Sequence, residues 1–207
     1  MQRGVPRNPI QSSDAVVRTD MKPVEALVPD ECFARGLACG FGRGTRLMTS
    51  DGQVPVDEIE PGEAVLDLEG RPHFVLWQGG WDVQPMAGWA GDPRHPVVIS
   101  ANAFGPGKPR RDLYLSQQNR VMVEADKPDA LLRAVALAPH LARIDLSGRA
   151  VSYHVVVTRS PCLLMAENLP CQSHQPGARG LWDIGADSEC FTHHLPQEME
   201  QGVALRP

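Results

Sequence analysis

The sequence predicts an all-β domain, and three observations carry that expectation. Short apolar runs rich in Val, Leu, Ile and aromatic residues begin at Gly44 and recur along the chain. Turn signals separate them: Asp51-Gly52, Pro61-Gly62, Glu69-Gly70, Gly105-Pro106-Gly107 and Ser147-Gly148. Proline and glycine number 19 each in 207 residues, above ordinary usage, which favours turns and short strands over long helices. Many short strands with frequent turns point to a barrel-like or sandwich-like architecture.

Taken in order, residues 1–38 form an irregular leader, polar and broken by Pro6, Pro9, Pro23 and Pro29. The expected strands are 45–49, 53–56, 64–68, 73–77, 96–100, 113–115, 120–124, 151–157 and 162–166, each a short run of β-forming residues. Residues 130–141 are the best helix candidate, although their apolar residues surround the axis evenly. After Gly177 the pattern dissolves, so 39–177 is read as the domain and 178–207 as a tail. Two short echoes occur within the first 63 residues, but neither period is sustained, which excludes a solenoid.

Composition narrows the function classes. The net charge is −5 with no block of like charge, so nothing suggests a surface for nucleic acid or an anionic membrane. The longest apolar stretch, 134–138, is far too short to span a bilayer. The first residues lack the apolar segment of a secretory signal, and a cytoplasmic location is expected. Five cysteines, an odd number, do not read as a disulfide framework.

Three stretches carry a family resemblance. They are GFGRGTRLMTSDGQVPVDEIEPGEAVL (40–66), FGPGKPRRDLYLSQQNRVMV (104–123) and YHVVVTRSPCLLMAENLPCQSHQPG (153–177). The first resembles C-F-x-x-G-T followed by P-V-E-x-L-x-P-G-D. The second is similar to a G-P-G-x-P-x-R-D-L turn leading into S-P-Q-H-R-V-L-V. The third resembles Y-H-x-x-x-D-R-H with a later A-E-G-L-P. Together they resemble bacterial Hint (Hedgehog/intein) domains. The resemblance implies a compact, pseudo-symmetric horseshoe of short strands. It also implies self-processing: a thiol at the first residue attacks the preceding carbonyl, and a histidine delivers a proton to the leaving nitrogen. No cofactor or metal is implied, and the only implied substrate is the chain's own N-terminal segment; a protein partner is not identified.

Several positions depart from that pattern. Gly40 stands where the nucleophile belongs. Cys39 lies one residue early, and Cys32 heads a C-F-x-x-G of its own, so either remains a candidate. Ser116 keeps the hydroxyl of the T-x-x-H motif, while Asn119 replaces its histidine; an amide cannot shuttle a proton near neutral pH. Thr158 and Ser160 replace an aspartate and a histidine, and His154 survives. The candidate site residues are therefore Cys39, Cys32, Ser116, Asn119 and His154, in a domain whose autocleavage is expected to be lost or weakened. Splicing is not expected, because Gln175-Pro176-Gly177 offers no terminal Asn followed by a nucleophile and Asn168 is followed by Leu169.

Two other function classes stay open. Cys171, His174, Cys190 and His193 have the spacing of a small zinc site. Trp77, Trp81 and Trp89 fall within thirteen residues and would make a non-catalytic interaction surface if exposed, or core if buried.

Overall fold

The structure, a computed structural model, describes residues 39–123 and 131–174. Within them the regular structure is β, with only two short 3-10 turns beside it. The strands are β1 (Phe41–Gly42), β2 (Arg46–Thr49), β3 (Gly52–Pro55), β4 (Ala64–Leu66), β5 (Pro72–Val83), β6 (Val97–Ile99) and β7 (Leu113–Leu115). They continue as β8 (Arg120–Met122), β9 (Leu131–Arg133), β10 (Arg143–Ile144), β11 (Val151–Thr158), β12 (Leu163–Ala166) and β13 (Leu169–Gln172). They join in one antiparallel sheet, curled as a half-barrel, in the order β10-β6-β7-β1-β11-β5-β4-β2-β12-β13-β8-β9. β3 pairs with β2 beside this path.

The long strand β5 lies between β11 and β4 in the sheet. Its first residues pair with β4 (Ala64↔Phe74) and the rest with β11 (Val151↔Val83 through Thr158↔Val75). The register shifts between Val157 and Thr158, which pair with Trp77 and Val75, so Leu76 is an extra residue that bends β5 beside its pairing with β4. Sequence patterning predicts a strand only over 73–77 because Gly79-Gly80 reads as a break. Aromatic rings cover that gap: Trp77 lies over Gly79, where a Cβ would come within 2.3 Å of its ring.

Burial follows the two-residue period of a pleated strand. β2 and β12 alternate half-buried and buried side chains, placing Leu47, Leu164 and Ala166 in the core. β11 is buried on both faces from Val155 to Thr158, so the strand reads as a near-continuous apolar run there rather than an alternating one. Each fully buried leucine contributes roughly 1.5–3 kcal/mol of transfer free energy. The β2–β3 hairpin turns through Ser50-Asp51 and closes at the Thr49↔Gly52 pair, where Gly52 has φ 110°, a conformation costly for any residue with a Cβ.

The helix expected over 130–141 does not form. Residues 131–133 pair with β8, residues 134–137 make one 3-10 turn, and Ala138 is extended. Pro139 explains the stop: it lacks an N–H and disfavours α geometry at the residue before it. No helix among the described residues is long and apolar enough to cross a membrane.

Candidate functional site

The site is built at the start of β1. This strand is only two residues long but is held on both sides, with Phe41 opposite Leu115 of β7 and His154 of β11. Gly40 immediately precedes it. Its carbonyl accepts the Ser116 N–H at 2.9 Å. Its own N–H donates to Asn119 Oδ1 at 2.6 Å and to Ser116 Oγ at 3.1 Å. Ser116 Oγ in turn donates to Asn119 Oδ1 at 2.7 Å. Ser116 and Asn119 are brought together by a tight turn leaving β7, closed by the Asn119 N–H on the Ser116 carbonyl.

Both side chains are buried, Asn119 to 1% exposure. Because a peptide N–H can only donate, the Asn119 oxygen must face Gly40. Its Nδ2 then has no hydrogen-bond partner among the described residues. The turn is anchored from behind: Gln117 Nε2 donates to the carbonyls of Asp92 and His95, at 3.1 and 3.3 Å. Asp92 is fixed by Arg94 and the Met86 N–H, which hold its carboxyl well below the usual range despite burial. Nothing in the sequence pattern marks these supporting residues.

Trp81 is the other residue that sequence reasoning missed as part of the site. A Cβ added at Gly40 would lie 2.8 Å from Trp81 Cη2 and 3.0 Å from Tyr153 Cβ. The Trp81 ring therefore fills the space in which a side chain at position 40 would begin. It packs against Tyr153 with ring centroids 5.7 Å apart, and the Tyr153 hydroxyl donates to the Arg94 carbonyl at 3.1 Å.

The remaining candidates are arranged differently. Cys39 is adjacent to the site, and its thiol points to the Gln118 carbonyl at 3.5 Å. Burial pushes that thiol up to about 12, partly offset by Arg120, so it is protonated at neutral pH. His154 belongs to β11, but neighbouring strand residues face opposite ways, and Tyr153 is the one that faces Gly40. His154 instead lies over Gly80 and bonds to Gln78 Nε2 through Nδ1 at 3.0 Å. Burial lowers its pKa, opposed by Asp57, leaving a neutral imidazole outside the Gly40–Ser116–Asn119 cluster. Thr45 bonds to the Gly42 carbonyl through Oγ1 at 2.6 Å, so Thr45, Ser116 and His154 all gather around β1. Cys32 lies outside the described residues.

The sequence profile of the Hint domain matches residues 39–178, well over half of the chain. The chain belongs to the Hint domain family. Among solved structures, this Hint domain is similar to a bacterial intein-like domain from Clostridium thermocellum. The identity is 10%, the match covers 65% of this chain and 98% of that one, and the TM-score is 0.48. It is also similar to the gp41-1 intein, at 11% identity, with 67% and 99% of the two chains covered and a TM-score of 0.42. No curated protein sequence matches.

The two other function classes meet the structure as follows. Cys171 is fully buried in the hydrophobic core of this Hint domain, and burial raises its thiol pKa. His174 is also buried, while Cys190 and His193 lie outside the described residues. The tryptophans divide: Trp77 and Trp81 are half-buried over glycines, and Trp89 is exposed.

Proposed function

We propose that this Hint domain has lost self-cleavage and keeps the frame of the processing site as a structural brace. The observation that carries this reading is the environment of the Cys39–Gly40 peptide. In a processing domain with residue 40 as nucleophile, the bond broken would be this one, and the leaving group would be the Gly40 nitrogen. That nitrogen is bound by Asn119 Oδ1 and Ser116 Oγ, where the family pattern carries its histidine and its hydroxyl.

Two chemical requirements are unmet there. Position 40 has no sulfur or hydroxyl to attack the Cys39 carbonyl, and Trp81 fills the space one would need. The leaving nitrogen also needs a proton, yet the atom nearest it is an amide oxygen, which only accepts. The Ser116 proton is directed to Asn119 rather than to the peptide. Cys39 is no substitute for a nucleophile at 40: displacement by one residue moves a group by about 3.3–3.8 Å, comparable to the whole separation allowed between reacting atoms. Its thiol is also held protonated.

What remains is a set of buried hydrogen bonds tying the start of β1 to β7 and β8. On this reading, the N-terminal segment 1–39 stays attached rather than acting as a substrate. Hydroxylamine, which cuts thioesters, tests it. The purified full-length chain should stay whole after prolonged treatment at neutral pH. A hydroxylamine-dependent fragment ending at Ala38 or Cys39 would show that a thioester forms and overturn the reading.

A further inference from the structure

A cleft of about 400 Å³ is lined by Arg46, Gln53, Arg110, Arg111 and Glu167, none of which belongs to the Gly40–Ser116–Asn119 cluster. Three segments distant in sequence build it: the β2–β3 hairpin, the turn before β7, and the β12–β13 turn. The last is a two-residue connection in which Glu167 and Asn168 both adopt left-handed conformations, φ 48° and 69°. A non-glycine pair in that region is uncommon, and here it turns the Glu167 side chain inward.

Charge within the cleft does not balance. Glu167, 1% exposed, is fully used: it accepts the Arg46 N–H at 2.8 Å and a two-pronged interaction from Arg111 through Nε and Nη2. That pair neutralises Arg111. The guanidinium groups of Arg46 and Arg110 meet only neutral oxygens among the described residues. Arg46 Nη1 donates to the Gln53 carbonyl at 3.0 Å, and Arg110 Nη1 approaches Gln53 Oε1 at 3.5 Å. The Gln53 amide is itself oriented by donation from Nε2 to Asn168 Oδ1 at 2.9 Å. Two forked cations, with one guanidinium contact each among the described residues, thus face one cleft whose walls are fixed by buried or intersegment hydrogen bonds.

We propose that this cleft binds a phosphate dianion, free or as a monoester, through Arg46 and Arg110. The two uncompensated charges match a group carrying about −1.5 to −2 at neutral pH. The guanidinium fork suits paired phosphate oxygens. Arg111 acts as a wall, because its charge is already spent on Glu167. This site is independent of the fate of self-cleavage.

Calorimetric titration of the full-length protein at pH 7.5 with inorganic phosphate, and separately with glycerol phosphate, tests the proposal at constant ionic strength set with chloride. Saturable binding of either probe is expected. Stronger binding of the monoester supports a phosphorylated ligand; equal or weaker binding supports free phosphate. Arg46→Gln with Arg110→Gln should weaken binding by about tenfold or more, the loss expected for one or more hydrogen bonds to a charged group. Should the double variant misfold, Arg110→Gln alone changes an exposed side chain and should still weaken binding severalfold, the smaller effect of losing one of the two cations. No heat beyond the chloride control, or affinity unchanged in the folded variants, overturns the proposal.

Discussion

Replacing Gly40 by cysteine restores the residue type that the family pattern carries, yet the structure predicts that it damages the domain. The new Cβ would stand 2.8 Å from Trp81 Cη2, 3.0 Å from Tyr153 Cβ and 3.4 Å from Trp81 Cζ2. Carbon atoms prefer about 3.5–4.0 Å, so something must move. Tyr153 Cβ is attached to the backbone of β11, which is paired on both sides; the Trp81 ring is the part that can give. Overpacking of this kind typically costs about 1–3 kcal/mol. Loss of glycine's freedom in the unfolded chain returns about 0.4–1 kcal/mol. The net expectation is destabilisation by about 1–2 kcal/mol, read as a lower urea midpoint at unchanged slope. The decisive comparison is a double-mutant cycle with Trp81→Ala. If the ring is what obstructs position 40, the two changes together should cost less than their sum by about 1 kcal/mol. A Gly40→Cys variant as stable as wild type, or strictly additive costs, would refute the claim that Trp81 occupies the nucleophile's space. The same geometry predicts that Gly40→Cys with Asn119→His stays uncleaved while Trp81 is intact. Thiol-dependent release of residues 1–39 should require Trp81→Ala as well.

Other consequences are directly measurable. Asn119→Ala leaves the buried Gly40 N–H with only the longer Ser116 contact and should cost about 1–3 kcal/mol in urea denaturation. Raising the Cys39 pKa from 9.0 to about 12 reduces its thiolate about a thousandfold at pH 8. Peptide mapping should accordingly find it alkylated far more slowly in the folded than in the unfolded chain. Burial lowers the His174 pKa from 6.5 to about 4, so the unfolded chain binds more protons between those limits. Stability should fall as pH drops from 6.5 to 4, and His174→Gln should flatten that step. Asp67 and Asp92, whose carboxyls are held low by His73 and Arg71 and by Arg94 against the effect of burial, weaken the fold only below about pH 4.

Much of this was legible in the sequence because strand patterning is local. β2, β3, β7 and β11 fall where alternating or continuous apolar runs end at turn residues. The misses have local causes too. Gly79-Gly80 reads as a break, yet β5 runs through it because Trp77 and His154 supply the cover that the glycines lack. Pro170 hides β13, and the two-residue β1 is too short to show a period. The even apolar distribution of 131–137 reflects a strand and a 3-10 turn rather than a helix. Ser116 and Asn119 could be singled out because they lie three residues apart in one motif. The contact of Trp81 with Gly40 joins residues 41 positions apart through a sheet, and no spacing rule encodes it. The Asp92–Gln117 support and the convergence of Arg46, Arg110 and Glu167 were invisible for the same reason.

The most direct test of the central claim is the intact mass of the purified full-length chain after incubation with and without dithiothreitol. Loss of the nucleophile predicts a single species of 22.6 kDa in both samples. A thiol-dependent pair of fragments, broken before Cys32, Cys39 or Gly40 and summing to the whole, would contradict it and make this a working processing domain.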